Sequence, residues 1–106
     1  MWICFNDGFV SAVQDRGDAR RLVVRARRKE HLEVLFPASE GFKIITAAPF
    51  TSDYKYRVFV SKVDFARIVT ERIMNISYDN FKNSVKDDRL HDLYGDFWEL
   101  HNQYQR

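Results

Sequence analysis

The stretch from Arg21 to Arg27, Arg-Leu-Val-Val-Arg-Ala-Arg, constrains the fold more than any other. Successive side chains of a strand point to opposite faces. Leu22, Val24 and Ala26 therefore share one face, and Arg21, Val23, Arg25 and Arg27 share the other. Period-two alternation with β-branched residues predicts a half-buried strand. The segment thus calls for a sheet with one apolar side and one basic side. From Arg28 the period changes: Leu32, Leu35 and Phe36 fall at helical spacing, and Pro37 ends the run. The stretch reads as a strand feeding a short helix.

A second segment repeats that plan. Tyr56 to Val60 alternates as a strand. Ser61-Lys62-Val63-Asp64 has the form of a capping box, with Asp in place of the usual Glu or Gln. Phe65, Ala66, Val69, Ile73 and Ile76 then mark one face of a helix. Val24–Glu30 and Val58–Asp64 match in pattern with few identities, so duplication and convergent patterning both account for them.

The remaining segments fill in around these two. Trp2–Phe5 and Phe9–Val13 are apolar pieces separated by Asn6-Asp7-Gly8. That separator permits a tight hairpin or one long strand bulged at Gly8. The bulged strand is the preferred reading, because Phe9–Gln14 already has a partner: the turn Asp15-Arg16-Gly17-Asp18 joins it to Arg21–Arg27. The Arg-Gly-Asp triplet inside that turn reads as turn chemistry, not as an adhesion motif. Phe42–Ala47 and Tyr54–Val60 read as the third and fourth strands, and Asp79 as the N-cap of a helical turn or two. The clearest helix comes last. Leu90, Leu93, Tyr94, Phe97, Trp98, His101 and Tyr104 form an aromatic stripe, with Asp88, Asp92, Asp96 and Glu99 on the opposite side.

The expected fold is α+β: a two-layer sandwich with a mainly antiparallel four-stranded sheet, ββαββα plus a C-terminal helix, ferredoxin-like in general style, with the helices on one face. At 106 residues the chain fits a single domain, 1–106, and can bury a core without staples. Its aromatic fraction of 15% argues against disorder. A lone cysteine, Cys4, excludes an internal disulfide and a multi-cysteine metal site, and it reads as a buried strand thiol. No signal-peptide pattern and no membrane-length apolar run is present. The expectation is a soluble cytoplasmic protein without membrane contact.

Charge supplies the functional lead. The net charge is only +2, but it is unevenly spread. Arg16, Arg20, Arg21, Arg25, Arg27, Arg28 and Lys29 cluster in the first third, and Asp87, Asp88, Asp92, Asp96 and Glu99 near the end. If the helices cover the Leu22–Val24–Ala26 side, the open side of the sheet gathers Arg21, Arg25, Arg27, Lys55, Arg57 and Phe59. Such a face fits a non-enzymatic binding or regulatory module that docks an acidic protein partner. Single-stranded nucleic acid, held by phosphate contacts and stacking, is the alternative on the same face. The paired aromatics of the common RNA-binding consensus are missing. An ordinary solvated sheet face accounts for the same residues. Surplus aromatics, Trp2 and Trp98 among them, make a homodimer a further reading.

Catalytic readings are weaker. Asp87 and His91 stand four apart, as an acid–base pair or two metal ligands would, but helix capping explains the same spacing. His101 reads as a core-edge histidine, and Arg72 as a snorkelling side chain at the edge of an apolar face. The glycines are scattered at turns, with no phosphate-binding loop or dinucleotide fingerprint, so no cofactor and no metal is expected.

The Met1-Trp2 start, Phe9-Val10-Ser11-Ala12-Val13, Val24-Arg25-Ala26-Arg27, Tyr78-Asp79-Asn80-Phe81-Lys82 and Leu90-His91-Asp92-Leu93-Tyr94 through Trp98 carry a resemblance over most of the length. By these the chain is similar to a set of short bacterial and phage-borne proteins of uncharacterised function. The resemblance implies no catalytic residue. It admits one further expectation, an inhibitor of a host defence complex.

Overall fold

The alternation at Arg21–Arg27 becomes the central strand of an antiparallel sheet. The structure is a computed structural model describing residues 1–105. Its strands are β1 (Trp2–Phe5), β2 (Gly8–Asp15), β3 (Asp18–Ala26), β4 (Ile45–Thr46) and β5 (Tyr56–Ser61). They lie in the order β1-β2-β3-β5-β4, and every paired neighbour is antiparallel. The helices are α1 (Lys29–Glu33), α2 (Lys62–Met74), α3 (Phe81–Ser84) and α4 (Asp88–Tyr104). A single 3₁₀ turn spans Ala38–Glu40. The α+β class and the antiparallel sheet agree with the sequence reading.

The strand count differs. Asn6-Asp7 closes a tight hairpin, so Trp2–Phe5 is a separate strand pairing Trp2 with Ser11 and Phe5 with Gly8. The bulged-strand reading failed because β2 bonds to neighbours on both edges at once. The sheet therefore has five strands, not four. The third predicted strand, Phe42–Ala47, shrinks to Ile45–Thr46 at the far edge. Its flanking residues follow an irregular path, and β5 joins β3 directly. The order is a three-stranded meander extended by β5 and β4, in place of the ferredoxin-like plan.

Register fixes the two faces. Val10, Ala12, Val24, Ala26, Val58 and Val60 point to one side and form the main core with Leu32, Leu35, Phe36, Phe65 and Ile68 of the α1 and α2 segments. Phe36 packs against both Phe42 and Phe65. Ser61 caps α2 as its sequence predicted, accepting from the Asp64 N–H at 3.0 Å. Cys4, Phe9, Ser11, Val13, Val23, Arg25, Arg57 and Phe59 point to the other side.

That second side is half covered, which corrects the expectation that the helices occupy one face alone. Phe9 lies under α4 in a smaller core with Val85, Leu90 and Tyr94, flanked by Phe81 and Phe97. Its ring meets Trp2 and Phe97 edge-on at 5.7 and 5.5 Å. The buried Tyr94 hydroxyl donates to the carbonyls of Phe5 and Gly8 at 2.8 and 3.0 Å, tying α4 to the β1–β2 hairpin. Gly8 is required there: a Cβ on it would stand 3.0 Å from the Cα and Cβ of His31. Asn80, not Asp79, caps α3 by accepting from Asn83 N–H, and Asp87 caps α4 by accepting from Leu90 N–H. Among the described residues, no helix is long and apolar enough to cross a membrane.

Candidate arginine face

The uncovered half of the second side carries the arginines. Arg25 and Arg57 stand directly opposite each other on β3 and β5, both half-buried. Arg25 donates to the buried Ser11 hydroxyl at 2.9 Å across the β2–β3 pair. Its guanidinium also stacks on the Tyr54 ring at 4.6 Å, and Arg27 stacks on the same ring at 4.2 Å. Arg27 donates to the Asp53 carbonyl as well, holding the segment before β5 against β3. Tyr54 is only 6% exposed because two guanidinium groups cover it. Farther along β3, Arg21 lies over the Phe59 ring at 4.7 Å and pairs with Asp15 at 2.6 Å.

The electrostatics are one-sided. Among the described residues, Arg25, Arg27 and Arg57 have no carboxylate within 4.0 Å. The Nε atoms of Arg25 and Arg57 are buried, without a hydrogen-bond partner among the described residues. Like charges directly opposite on neighbouring strands are unfavourable. A buried donor left unpaired adds a desolvation cost. Stacking on aromatic rings offsets part of this and holds the guanidinium planes in place. The arrangement can grip an anion that approaches edge-on, because a guanidinium presents a fixed fork matching a carboxylate or phosphate.

The sequence-predicted residues do not all converge. Arg25, Arg27 and Arg57 form one cluster. Arg21 and Phe59 form a second one beside it, and Arg21 already has its counter-ion. Lys55 sits just before β5 with its ammonium 5.6 Å from the Tyr56 ring, a side chain that packs with the α1–α2 core. It therefore stands apart from the arginine cluster. Sequence reasoning missed Tyr54 and Ser11, the two residues that position Arg25. Tyr54 read as the start of a strand, and Ser11 as an ordinary strand position. The aromatic–arginine pairing arises only once the loop before β5 folds back over β3, which no local pattern signals.

Other candidates resolve differently. Asp87 spends its carboxylate on capping, and His91 is exposed on α4. No group of three or more His, Cys, Asp or Glu is close enough to hold a metal among the described residues. His101 is exposed, not at a core edge. Cys4 is also exposed as a residue, not a buried strand thiol. Partial burial of its thiol still raises the pKa, against a hydrogen bond with Tyr94 that lowers it. Arg72 pairs with Asp7 and lies 4.9 Å over the Phe5 ring, so it braces α2 against the hairpin. His31 accepts from the Phe9 N–H through Nδ1 at 3.2 Å, and burial lowers its pKa. A second concavity of about 810 Å³ lies between β1 and α4. It is lined mainly by Trp2, Phe9, Phe81, Phe97 and Trp98, with Lys82 over Trp98 at 4.8 Å. Its lining is mostly apolar, with Asp79, Asn80, Lys82 and His101 also on its walls.

No protein-family model, curated protein or solved structure matches this chain.

Proposed function

We infer that this protein is a non-enzymatic binding module whose working surface is the Arg25–Arg27–Arg57 cluster, and that it docks an acidic protein segment there. The observation that supports this reading is the uncompensated cross-strand pair. Two arginines face each other, half-buried, and among the described residues their Nε atoms have no hydrogen-bond partner and no carboxylate lies within 4.0 Å of either. The repulsion between the two guanidinium groups is relieved when a partner brings carboxylates to their exposed ends, and that relief contributes to affinity.

An acidic protein fits better than single-stranded nucleic acid. Stacking of bases needs free aromatic faces. Here Tyr54 is covered by Arg25 and Arg27, and Phe59 is covered on one side by Arg21. What the surface presents is guanidinium forks, not open rings.

Fluorescence anisotropy tests the proposal. A labelled helical peptide with Glu at every fourth position and a labelled single-stranded oligonucleotide are titrated in parallel with the protein at several salt concentrations. The expected result is peptide binding that weakens with salt and is lost in Arg27→Glu/Arg57→Glu. Binding of the oligonucleotide alone would move the assignment to nucleic acid. Binding of neither would remove the arginine face from consideration.

A further inference from the structure

The side that carries the arginine shelf also carries a ridge beside it. Helix α4 rests its apolar flank, Leu90, Tyr94 and Phe97, on Phe9 at the β1–β2 end of the sheet. The β3–β5 end is left open. A cleft of about 230 Å³, lined by Arg27, Arg28, His31, Asp87, Arg89 and Leu93 among others, lies between the start of α4 and the Arg27 end of the shelf. The outer flank of the ridge is acidic. Asp88, Asp92, Asp96 and Glu99 are all exposed, and among the described residues none of them pairs with a cation within 4.0 Å. Among the described residues, one surface thus holds carboxylates without a cation on a raised helix and, next to it, guanidinium groups without a carboxylate on a lower shelf bordered by the Tyr54 loop.

The dimensions match. Carboxylates four residues apart on a helix are separated by about 6 Å along its axis. Residues two apart on a strand, such as Arg25 and Arg27, are separated by about 6.7 Å. A helix is about 10 Å thick. Three strands at about 4.8 Å spacing leave a shelf about 10 Å wide between the outer two. Because ridge and shelf share a face, a two-fold axis lying in the plane of that face, between ridge and shelf, brings each ridge over the other copy's shelf at the same time. The contact is isologous and closes on itself.

The geometry points to a symmetric dimer in which the acidic flank of α4 in each copy seats on the Arg25–Arg27–Arg57 shelf of the other. This rests on the reading of that shelf as an acid-docking surface and names a second copy of the chain as an occupant. The 17-residue helix is about 25 Å long. Two seats of a single helix on a narrow shelf make a small contact, at the low end of specific interfaces. The dimer is therefore weak, dependent on concentration, and screened by salt. An external acidic segment competes with the second copy for the same arginines.

Sedimentation velocity tests this over low to several hundred micromolar protein, at low and high salt. Three proteins are compared: wild type, Asp92→Lys/Asp96→Lys and Arg27→Glu/Arg57→Glu, each checked by circular dichroism for an unchanged fold. The wild type should shift from monomer to dimer with concentration, and high salt should reverse the shift. Each charge-reversed protein alone should lose at least about tenfold in dimer affinity. An equimolar mixture of the two should dimerise, because both seats are then complementary again. A wild type that stays monomeric, a dimer that survives Asp92→Lys/Asp96→Lys, or a mixture that stays monomeric would overturn the proposal. The acidic-peptide titration separates the two levels. Peptide binding by a monomeric wild type ends the self-pairing alone, whereas no peptide binding ends the docking reading with it.

Discussion

Replacing Arg57 with Met should make the protein more stable and less able to bind acid. Met keeps an unbranched apolar stem over the sheet, so the packing of the arginine's methylenes is largely preserved. Two unit charges about 7 Å apart repel by about 0.6 kcal/mol in water and about 2.4 kcal/mol at an effective dielectric of about 20. The pair is half-buried and fixed directly across β3 and β5, so its repulsion falls between these limits. Removing the unpartnered Arg57 Nε also removes a buried donor. Lost stem contacts and lost solvation of the exposed guanidinium act the other way. The net expectation is a gain of about 1 kcal/mol, or about 4–8 °C in Tm for a domain near 100 residues. The assay is thermal unfolding followed by circular dichroism at low and at high salt. The gap between variant and wild type should narrow as salt rises, because screening weakens repulsion in the wild type. A variant less stable than wild type at low salt would refute the reasoning, since Arg57 would then be holding the fold together.

Three further outcomes follow from other parts of the structure. Tyr94→Phe leaves the Phe5 and Gly8 carbonyls without their shared donor and should cost about 1–3 kcal/mol in urea unfolding, while binding of the acidic peptide is unchanged. Gly8→Ala places a Cβ 3.0 Å from the backbone of His31, which cannot swing aside, so a loss of about 1–3 kcal/mol is expected in the same assay. Burial lowers the His31 pKa below its ordinary value of 6.5, so the neutral ring that accepts from Phe9 N–H is favoured by folding. That contribution is complete above pH 6.5 and is lost as pH falls below it. Stability measured at pH 7.5 and pH 5 should fall more in wild type than in His31→Asn, whose fixed amide oxygen can accept the same bond without titrating.

Much of this architecture is legible in the sequence where local pattern and tertiary demand agree. The alternation at Arg21–Arg27 correctly places Leu22, Val24 and Ala26 toward the main core, because one face of β3 is buried and register leaves no freedom. Ser61 caps α2 for the same kind of reason: the bond is local. The failures occur where distant segments decide. Asn6-Asp7-Gly8 carries a turn signal, yet whether it closes a hairpin depends on β2 accepting partners on both edges. Phe42–Ala47 has strand composition, but only Ile45 and Thr46 find an edge to pair with. The aromatic stripe of α4 is buried only in its first half, at Leu90, Tyr94 and partly Phe97, while Leu93, Trp98, His101 and Tyr104 stay exposed. That this half buries against the arginine side of the sheet was not legible, because Phe9 and Val10 look alike in sequence and differ only by which side they face. The arginine cluster itself follows from alternation, whereas its aromatic support by Tyr54 depends on a loop that folds back.

The central claim is that Arg25, Arg27 and Arg57 await carboxylates from a partner. The most direct test is to follow the arginine Nε–H signals in proton–nitrogen correlation spectra while the glutamate-rich helical peptide is added to dilute protein. The Nε–H signals of Arg25, Arg27 and Arg57 should shift together and saturate together, with those of the solvent-facing Arg20 and Arg67 unmoved. Shifts confined to residues around the Trp2–Trp98 concavity, or spread evenly over every arginine, would contradict it.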